Sequence, residues 1–398
     1  MTILVLNSGS SSIKFATYDR GERRGQVVER LRGQVSGLPD STALSWRAAG
    51  GAREERKLSG NVDSRAALEA VLAHVGEAGA LGALEAVGHR IAHGGQALIR
   101  PVRIDDEVLA LIESLTPLAP LHQGFGIAGV RAMQALAPQA LQVACFDTAF
   151  HATQPALHTT MPLPASWRER GARRYGFHGL SFEWIAQKLP QLLGAAADAR
   201  VIVAHLGSGA SVCGMRERRS VRTSMGLSTL GGLVMSTRPG DLDPGVLLFL
   251  QQQLHVDVDE VSRGLHRESG LFGLSGLSGD MRALEASDDP RAGFAIEMFC
   301  QRAAQEIAAT AVAIGGCDAL VFTGGIGEHS ERTRRDISAL LGWMGVRLDP
   351  ALNRANGPRV HAADSTVAVC VVPTDEEQVI AAHVAAMMSQ VRQQYSQS

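Results

Sequence analysis

Lysine is almost absent from this 398-residue chain: only Lys14, Lys57 and Lys188 occur, and arginine carries nearly all the positive charge. None of the three follows a glycine, which excludes the Gly-Lys-Ser/Thr loop of P-loop nucleotide-binding proteins. Cysteine is scarce too. Cys145, Cys213, Cys300, Cys317 and Cys370 are odd in number, scattered, and form no Cys-x-x-Cys pair. That excludes a disulfide framework and predicts buried, reduced thiols in a cytosolic protein. A formal net charge of −2 leaves no basic surface for nucleic acid or anionic lipid. No basic-then-apolar leader opens the chain, and no uninterrupted apolar run is long enough to span a bilayer. The expectation is a soluble, cytoplasmic protein acting on small molecules, with no nucleic-acid or membrane partner.

What is present begins with Ile3-Leu-Val-Leu-Asn7-Ser-Gly-Ser-Ser-Ser12-Ile-Lys14. An apolar run giving way to small hydrogen-bonding residues reads as a buried strand opening into a loop suited to phosphate, with a Ser/Gly-rich hairpin turn as the plainer alternative. Val201 to Leu206 runs likewise into Gly207-Ser208-Gly209, and Ala319 to Thr323 into Gly324-Gly325-Ile326-Gly327-Glu328. Three such loops suggest a nucleotide gripped from several sides. None gives Gly-x-Gly-x-x-Gly after its strand, so a dinucleotide fold is disfavoured.

The length predicts two domains. The spacing predicts strands and turns from Lys14 to about Ser59, a helix capped by Asp63, a helix over 106–114, a helix over 124–137 and a strand over 141–146. The Thr/Pro-rich stretch 152–164 reads as the domain boundary. Ser181 is expected to cap a helix over 182–193, Asp243-Pro244 to open a helix, and an amphipathic helix to run over 292–314. Thr374-x-x-Glu377 reads as a capping box, leaving Glu376 with no structural explanation.

Polar residues cluster where strands end or glycines bend the chain: Arg90, His122, His178 and Arg238, with the carboxylates Asp147 and Glu376. Hard oxygen donors together with dispersed cations are what phosphoryl transfer asks for, and a redox site needs none of them. The site-like stretches are read as holding no His-x-x-x-His or His-Glu-x-x-His pair, which disfavours a zinc hydrolase.

The stretches Asn7 to Lys14, Gly88-His-Arg90-Ile-Ala-His-Gly-Gly, Phe146-Asp147-Thr-Ala-Phe-His, Arg174-Tyr-Gly-Phe-His178-Gly, His205-Leu-Gly-Ser-Gly, Thr237-Arg238-Pro-Gly-Asp-Leu-Asp-Pro, Phe322 to Glu328 and Pro373-Thr-Asp-Glu376-Glu resemble the acetate kinases, and more broadly the acetate/propionate kinases, along the whole chain. The resemblance implies an α/β, duplicated two-domain actin-like ATPase (ribonuclease H-like) fold with the nucleotide in the interdomain cleft. The first domain would be 1–150, completed by the C-terminal helix 378–398. The second, 151–377, would carry the adenosine site and a homodimer interface.

It also implies residue roles. Asn7 and Glu376 would hold Mg2+, or Mn2+ in its place, with Asp147 beside it. Ser10, Ser12, Lys14 and the loop His205-Leu206-Gly207-Ser208-Gly209 would meet the phosphates of ATP or ADP. Asp280-Met281-Arg282 and Gly324-Gly325-Ile326-Gly327-Glu328 would line the adenosine. Arg90 would bind the carboxylate, His178 and Arg238 would stabilise the transition state with His122 among the catalytic residues, and Ala92, Leu121, Phe177 and Thr229 would line the acyl group. The chain departs from the family pattern at Gln123-Gly-Phe-Gly126, where relatives have Asn-Pro-x-Asn, and at Ser208, where they have Asn. Ala92 stands where many relatives have Val, and Thr229 where many have Pro; the room Ala92 makes is expected to let propionate compete with acetate.

Overall fold

A computed structural model describes residues 2–9, 12–21, 25–38, 41–60, 62–78, 84–120 and 122–395, which divide into two units, one ending at Ala149 and resuming at Asp375, the other spanning Phe150–Thr374. Asp375 to Glu377 therefore fall in the first unit, whereas the sequence reading counted them with the second.

In the first unit, β1 (Thr2–Ser8), β2 (Ser12–Arg20), β3 (Val27–Ser36), β4 (Ala43–Ala48), β5 (Glu54–Lys57), β6 (Leu84–Ile91), β7 (Val102–Arg103) and β8 (Leu141–Phe146) form one sheet in the order β5-β4-β3-β2-β1-β6-β8-β7. The strands β1 to β5 make an antiparallel meander, and β6 and β8 continue the sheet parallel to β1. The opening stretch is thus a hairpin, with Asn7 directly opposite Lys14.

The unbroken apolar run of β1 is explained by cover on both faces. Leu4 and Leu6 pack with Leu68, Val71 and Val75 of the helix Ser64–Glu77, whose first turn is capped by Asp63 accepting the Ala66 N–H at 2.8 Å. The opposite face meets the C-terminal helix Glu376–Tyr395: a Cβ added at Gly88 would lie 2.5 Å from Ile380 Cγ2. Gly88 is the absence that lets this helix seat on β6 and carries Glu376 to the strand ends.

In the second unit, β9 (Val201–Leu206), β10 (Ala210–Arg216), β11 (Arg219–Thr223), β12 (Ala319–Thr323) and β13 (Ala368–Val371) are ordered β11-β10-β9-β12-β13. Two antiparallel pairings are followed by two parallel ones, the same order and sense as β3-β2-β1-β6-β8. The fold is a duplicated α/β architecture. One face of this sheet buries Ile296, Phe299, Ala303 and Ile307 of the helix Pro290–Ile314, and the other buries Phe182, Ile185 and Leu189 of the helix Gly179–Leu193. Each large side chain so covered contributes roughly 1.5–3 kcal/mol relative to exposure.

Candidate functional site

In the first unit, four residues named from sequence meet. Arg90, at the end of β6, donates from Nη2 to Asp147 Oδ2 at 2.6 Å and from Nε to Oδ1 at 3.0 Å. Its Nη1 lies 3.3 Å from Asn7 Oδ1 and 3.4 Å from Glu376 Oε2. Only 5% of the Asp147 side chain and 12% of the Glu376 side chain remain exposed. Burial, and then the neighbouring Asp147 charge, push the Glu376 carboxyl above the usual range although Arg90 pulls the other way. Burial likewise acts to depress Arg90, and the facing carboxylates overcome it, raising the guanidinium further.

Asn7, Asp147 and Glu376 are hard oxygen donors gathered around one cation, a donor set that suits Mg2+. Among the described residues no group of three or more His, Cys, Asp or Glu could hold a metal ion by itself. Two carboxylates and one amide oxygen are the number of protein donors that Mg2+ usually takes.

A second ring of interactions holds Glu376 in place. Arg32 on β3 donates to Glu377 Oε2 at 2.8 Å, Asp375 Oδ1 at 2.7 Å, Glu29 Oε2 at 2.7 Å and the Tyr18 hydroxyl at 3.1 Å. Glu377 is thus an ion-pair partner and not the capping-box acid; Asp375 caps the helix, its Oδ1 accepting the Gln378 N–H at 3.1 Å. Local spacing could not reveal Arg32, which is more than 340 residues away in sequence.

His89, near the end of β6, and His93, just beyond it, are spaced His-x-x-x-His, a pair the sequence reading passed over, and each has a partner within the protein, His93 Nδ1 accepting the Gly95 N–H at 2.9 Å. His89 Nε2 is bonded to Gln142 Oε1 at 2.6 Å, and burial pushes both imidazoles down to about 4, so they stay neutral. His122 is exposed at the start of the helix Gln123–Leu136, Ala92 is half-buried after β6, and Ser12 and Lys14 lie on β2, Lys14 exposed. Ser10 and Leu121 lie outside the described residues.

In the second unit, His178, His205, Arg238 and the Gly207–Gly209 loop come together. The His178 and His205 rings stack at 4.4 Å and 23°. His178 takes φ +58°, a left-handed conformation uncommon outside glycine, and forms the backbone cap of the helix Gly179–Leu193. That turn is braced from behind: the buried His151 donates from Nε2 to the Phe177 carbonyl at 2.9 Å and accepts from Ser220 at Nδ1, 2.8 Å. Burial pushes the His151 imidazole down to about 4, which keeps it neutral.

Arg238 donates from Nη1 to the Thr229 carbonyl at 2.8 Å, and burial pushes its guanidinium down to about 10. Its Nη2 stands 2.7 Å, and His178 Nε2 3.1 Å, from where a Gly209 Cβ would be. Gly209 is therefore required for close approach. Arg174 secures the segment leading to Thr229, donating to the carbonyls of Thr223, Ser224 and Met225.

Several named residues are engaged otherwise than sequence suggested. Ser181 does not cap its helix; its side chain is fully buried and bonds His205. The Glu328 carboxylate accepts the N–H groups of Gly324 and Thr374, at 2.9 and 3.0 Å, bracing the glycine turn in which Gly324 takes φ +77°. Met281 and Phe177 are buried in the core, and Asp280 caps the short helix Met281–Glu285 while pairing with Arg282. Leu206 closes β9, while Gly325, Ile326 and Gly327 sit in the helix Gly324–His329. Sequence reasoning passed over Arg32 and, although His151 and Ser211 end two of the stretches it singled out, gave those two no role.

The Acetokinase family matches residues 2–382. An acetate kinase of Rhodopseudomonas palustris is 45% identical over 388 residues, covering 96% of this chain and 97% of that protein. One from Nitrobacter hamburgensis is 43% identical, covering 97% and 96%. Among solved structures, a propionate kinase from Francisella tularensis superposes with TM-score 0.90 at 34% identity, covering 96% of this chain and 98% of that one. Porphyromonas gingivalis acetate kinase gives TM-score 0.86 at 34% identity, covering 97% and 99%.

Proposed function

The chain belongs to the acetokinase family, and from that premise we propose that it transfers the γ-phosphoryl group of ATP to acetate by direct in-line displacement, giving acetyl phosphate and ADP reversibly. The observation carrying this reading is the meeting of Asn7, Arg90, Asp147 and Glu376 in the first unit.

A short aliphatic acid has a pKa near that of Glu, roughly 4.3, so the acceptor is already ionised at neutral pH and needs no general base. The catalytic difficulty is repulsion between an anionic nucleophile and an anionic phosphate. Arg90 would orient the acetate carboxylate; its bidentate hold on Asp147 is the geometry a carboxylate substrate would use. Arg238 and His178 would bear the charge spread over the equatorial oxygens, with His122 assisting. Lys14, Ser10, Ser12 and the loop from His205 to Gly209 would hold the phosphates, and the segments 280–282 and 324–328 the adenosine. Asn7 and Glu376 would hold Mg2+ with Asp147 beside it, and the bound ion would neutralise charge on the β- and γ-phosphoryl oxygens.

Propionate is the alternative acceptor, favoured by Ala92: space for one buried methylene contributes roughly 0.8 kcal/mol. We further propose a homodimer through the second unit. In support, the helix Pro244–Gln252 and its flanks leave Leu242, Val246, Leu248, Phe249, Leu254 and Val258 exposed, a concentration of apolar side chains of the kind that marks an interaction surface. Among the described residues no helix is long and apolar enough to cross a membrane. A cytoplasmic location is supported by the five free thiols.

Hydroxylamine trapping with ATP, Mg2+ and a series of formate, acetate, propionate and butyrate tests the reading. Hydroxylamine traps an activated acyl group and not the free acid, and ADP rather than AMP as the nucleotide product marks that group as an acyl phosphate. Failure with every acid while nucleotide still binds refutes the function, and a steep fall in kcat/KM after acetate refutes the roomy pocket.

A further inference from the structure

We propose that Ser181 and Thr374 are positioning residues, a relay of two hydroxyls that holds His205 as its Nε2–H tautomer with that proton directed toward the Gly207–Gly209 loop. What the proton would meet there, a phosphate oxygen, rests on the function proposed above; the relay itself rests on geometry.

Ser181 sits in the first turn of the helix Gly179–Leu193 with no exposed surface. Its Oγ is 2.8 Å from His205 Nδ1 and 2.8 Å from Thr374 Oγ1, the latter donating. A hydroxyl has one proton, and a buried one must find an acceptor. With Thr374 donating to the Ser181 oxygen, the Ser181 proton goes to His205 Nδ1, which is then an acceptor. A neutral imidazole carries its single proton on the other nitrogen. That nitrogen, Nε2, is 3.7 Å from where a Cβ on Gly207 would stand, so it faces the loop.

The stacked neighbour repeats the arrangement. His178 Nδ1 is 2.9 Å from Ser211 Oγ, a side chain with no exposed surface, and its Nε2 faces Gly209. Two rings thus carry a buried serine at Nδ1 and turn Nε2 to one loop. Thr374 is itself held, its N–H donating to Glu328 Oε1, the oxygen that also receives Gly324 N–H. The opposite tautomer would turn a lone pair toward an anion, which is repulsive.

The test uses the full chain labelled with 15N-histidine. In the wild type the His205 ring, assigned by comparison with His205→Gln, is expected to show a protonated Nε2 and an unprotonated Nδ1. Ser181→Ala removes the hydroxyl that donates to Nδ1 and should introduce the Nδ1–H tautomer and lower kcat/KM for ATP about tenfold, the scale of one lost hydrogen bond. Ser181→Thr, which keeps the hydroxyl, should restore both. A wild-type His205 protonated on Nδ1 overturns the proposal, as does Ser181→Ala leaving both ring signals and kinetics unchanged. If the tautomer and its response to Ser181→Ala are found but no carboxylate is phosphorylated, the relay stands and the function falls.

Discussion

Replacing Gly209 by alanine separates catalysis from folding in the second unit. The residue does not need a positive φ, so the backbone accepts a side chain. The added Cβ, however, would stand 2.7 Å from Arg238 Nη2, 3.1 Å from His178 Nε2 and 3.3 Å from His178 Cε1. To regain ordinary contact at roughly 3.4 Å the guanidinium must retreat by about 0.7 Å and the imidazole by a few tenths. Arg238 has little slack, because Nη1 is tied to the Thr229 carbonyl at 2.8 Å and the guanidinium is buried. His178 is held by Ser211 and by its own strained turn. Displacement of this order at charge-stabilising groups costs about 10²-fold in rate. The clash falls on side-chain ends and not on packed backbone, so unfolding free energy should change by less than about 1 kcal/mol, the small end of overpacking costs. Steady-state kinetics beside urea denaturation provide the assay. Near-normal kcat would show that Arg238 and His178 do not act from where they stand, and a collapse of stability would place the effect in the fold instead.

Arg238→Ala should lower kcat by about 10² or more, as losses of electrostatic donors do, with a smaller effect on ATP affinity; equal losses in both would make it a binding residue. Acid should weaken the fold early. His89, His93 and His151 are held neutral down to about 4, below the ordinary 6.5, so the unfolded chain takes up protons first. Their stabilisation is complete above pH 6.5 and is lost as pH falls toward 4, about 3 kcal/mol each by then; urea midpoints that stay flat between pH 6.5 and 5 would contradict this. Phe249→Asp should convert a dimer to a monomer in light scattering, and a wild type that is already monomeric would remove the dimer proposal.

Local order was legible wherever one element's own residues decide it. Asp63 before an amphipathic run caps the helix Ser64–Glu77, the helix Asp106–Ser114 and the strand Leu141–Phe146 have the spans their spacing predicts, and Asp243-Pro244 opens its helix. Buried strands showed as apolar runs because both faces of each sheet are covered. Arg90, Asp147 and Glu376 stood out because a charged group after such a run has no apolar packing role, whereas His89 and His93 in the same stretch proved to be buried, neutral side chains.

Misreadings occurred where a side chain had two partners available. Ser181 and Glu377 both occupy positions that a cap could explain, and a cap is the only partner visible within four residues. Each instead bonds a group brought near by the sheet: His205 and Thr374 for Ser181, Arg32 for Glu377. Residue order along the chain was enough to mark β1, β9 and β12 and the chemistry at their ends, since periodicity and turn residues act over a few positions. Which acid faces Arg90, which hydroxyl holds His205 and why Gly209 must be bare depend on distances between strands paired across the sheets. Those distances are set by packing, which couples residues hundreds of positions apart and leaves no local trace.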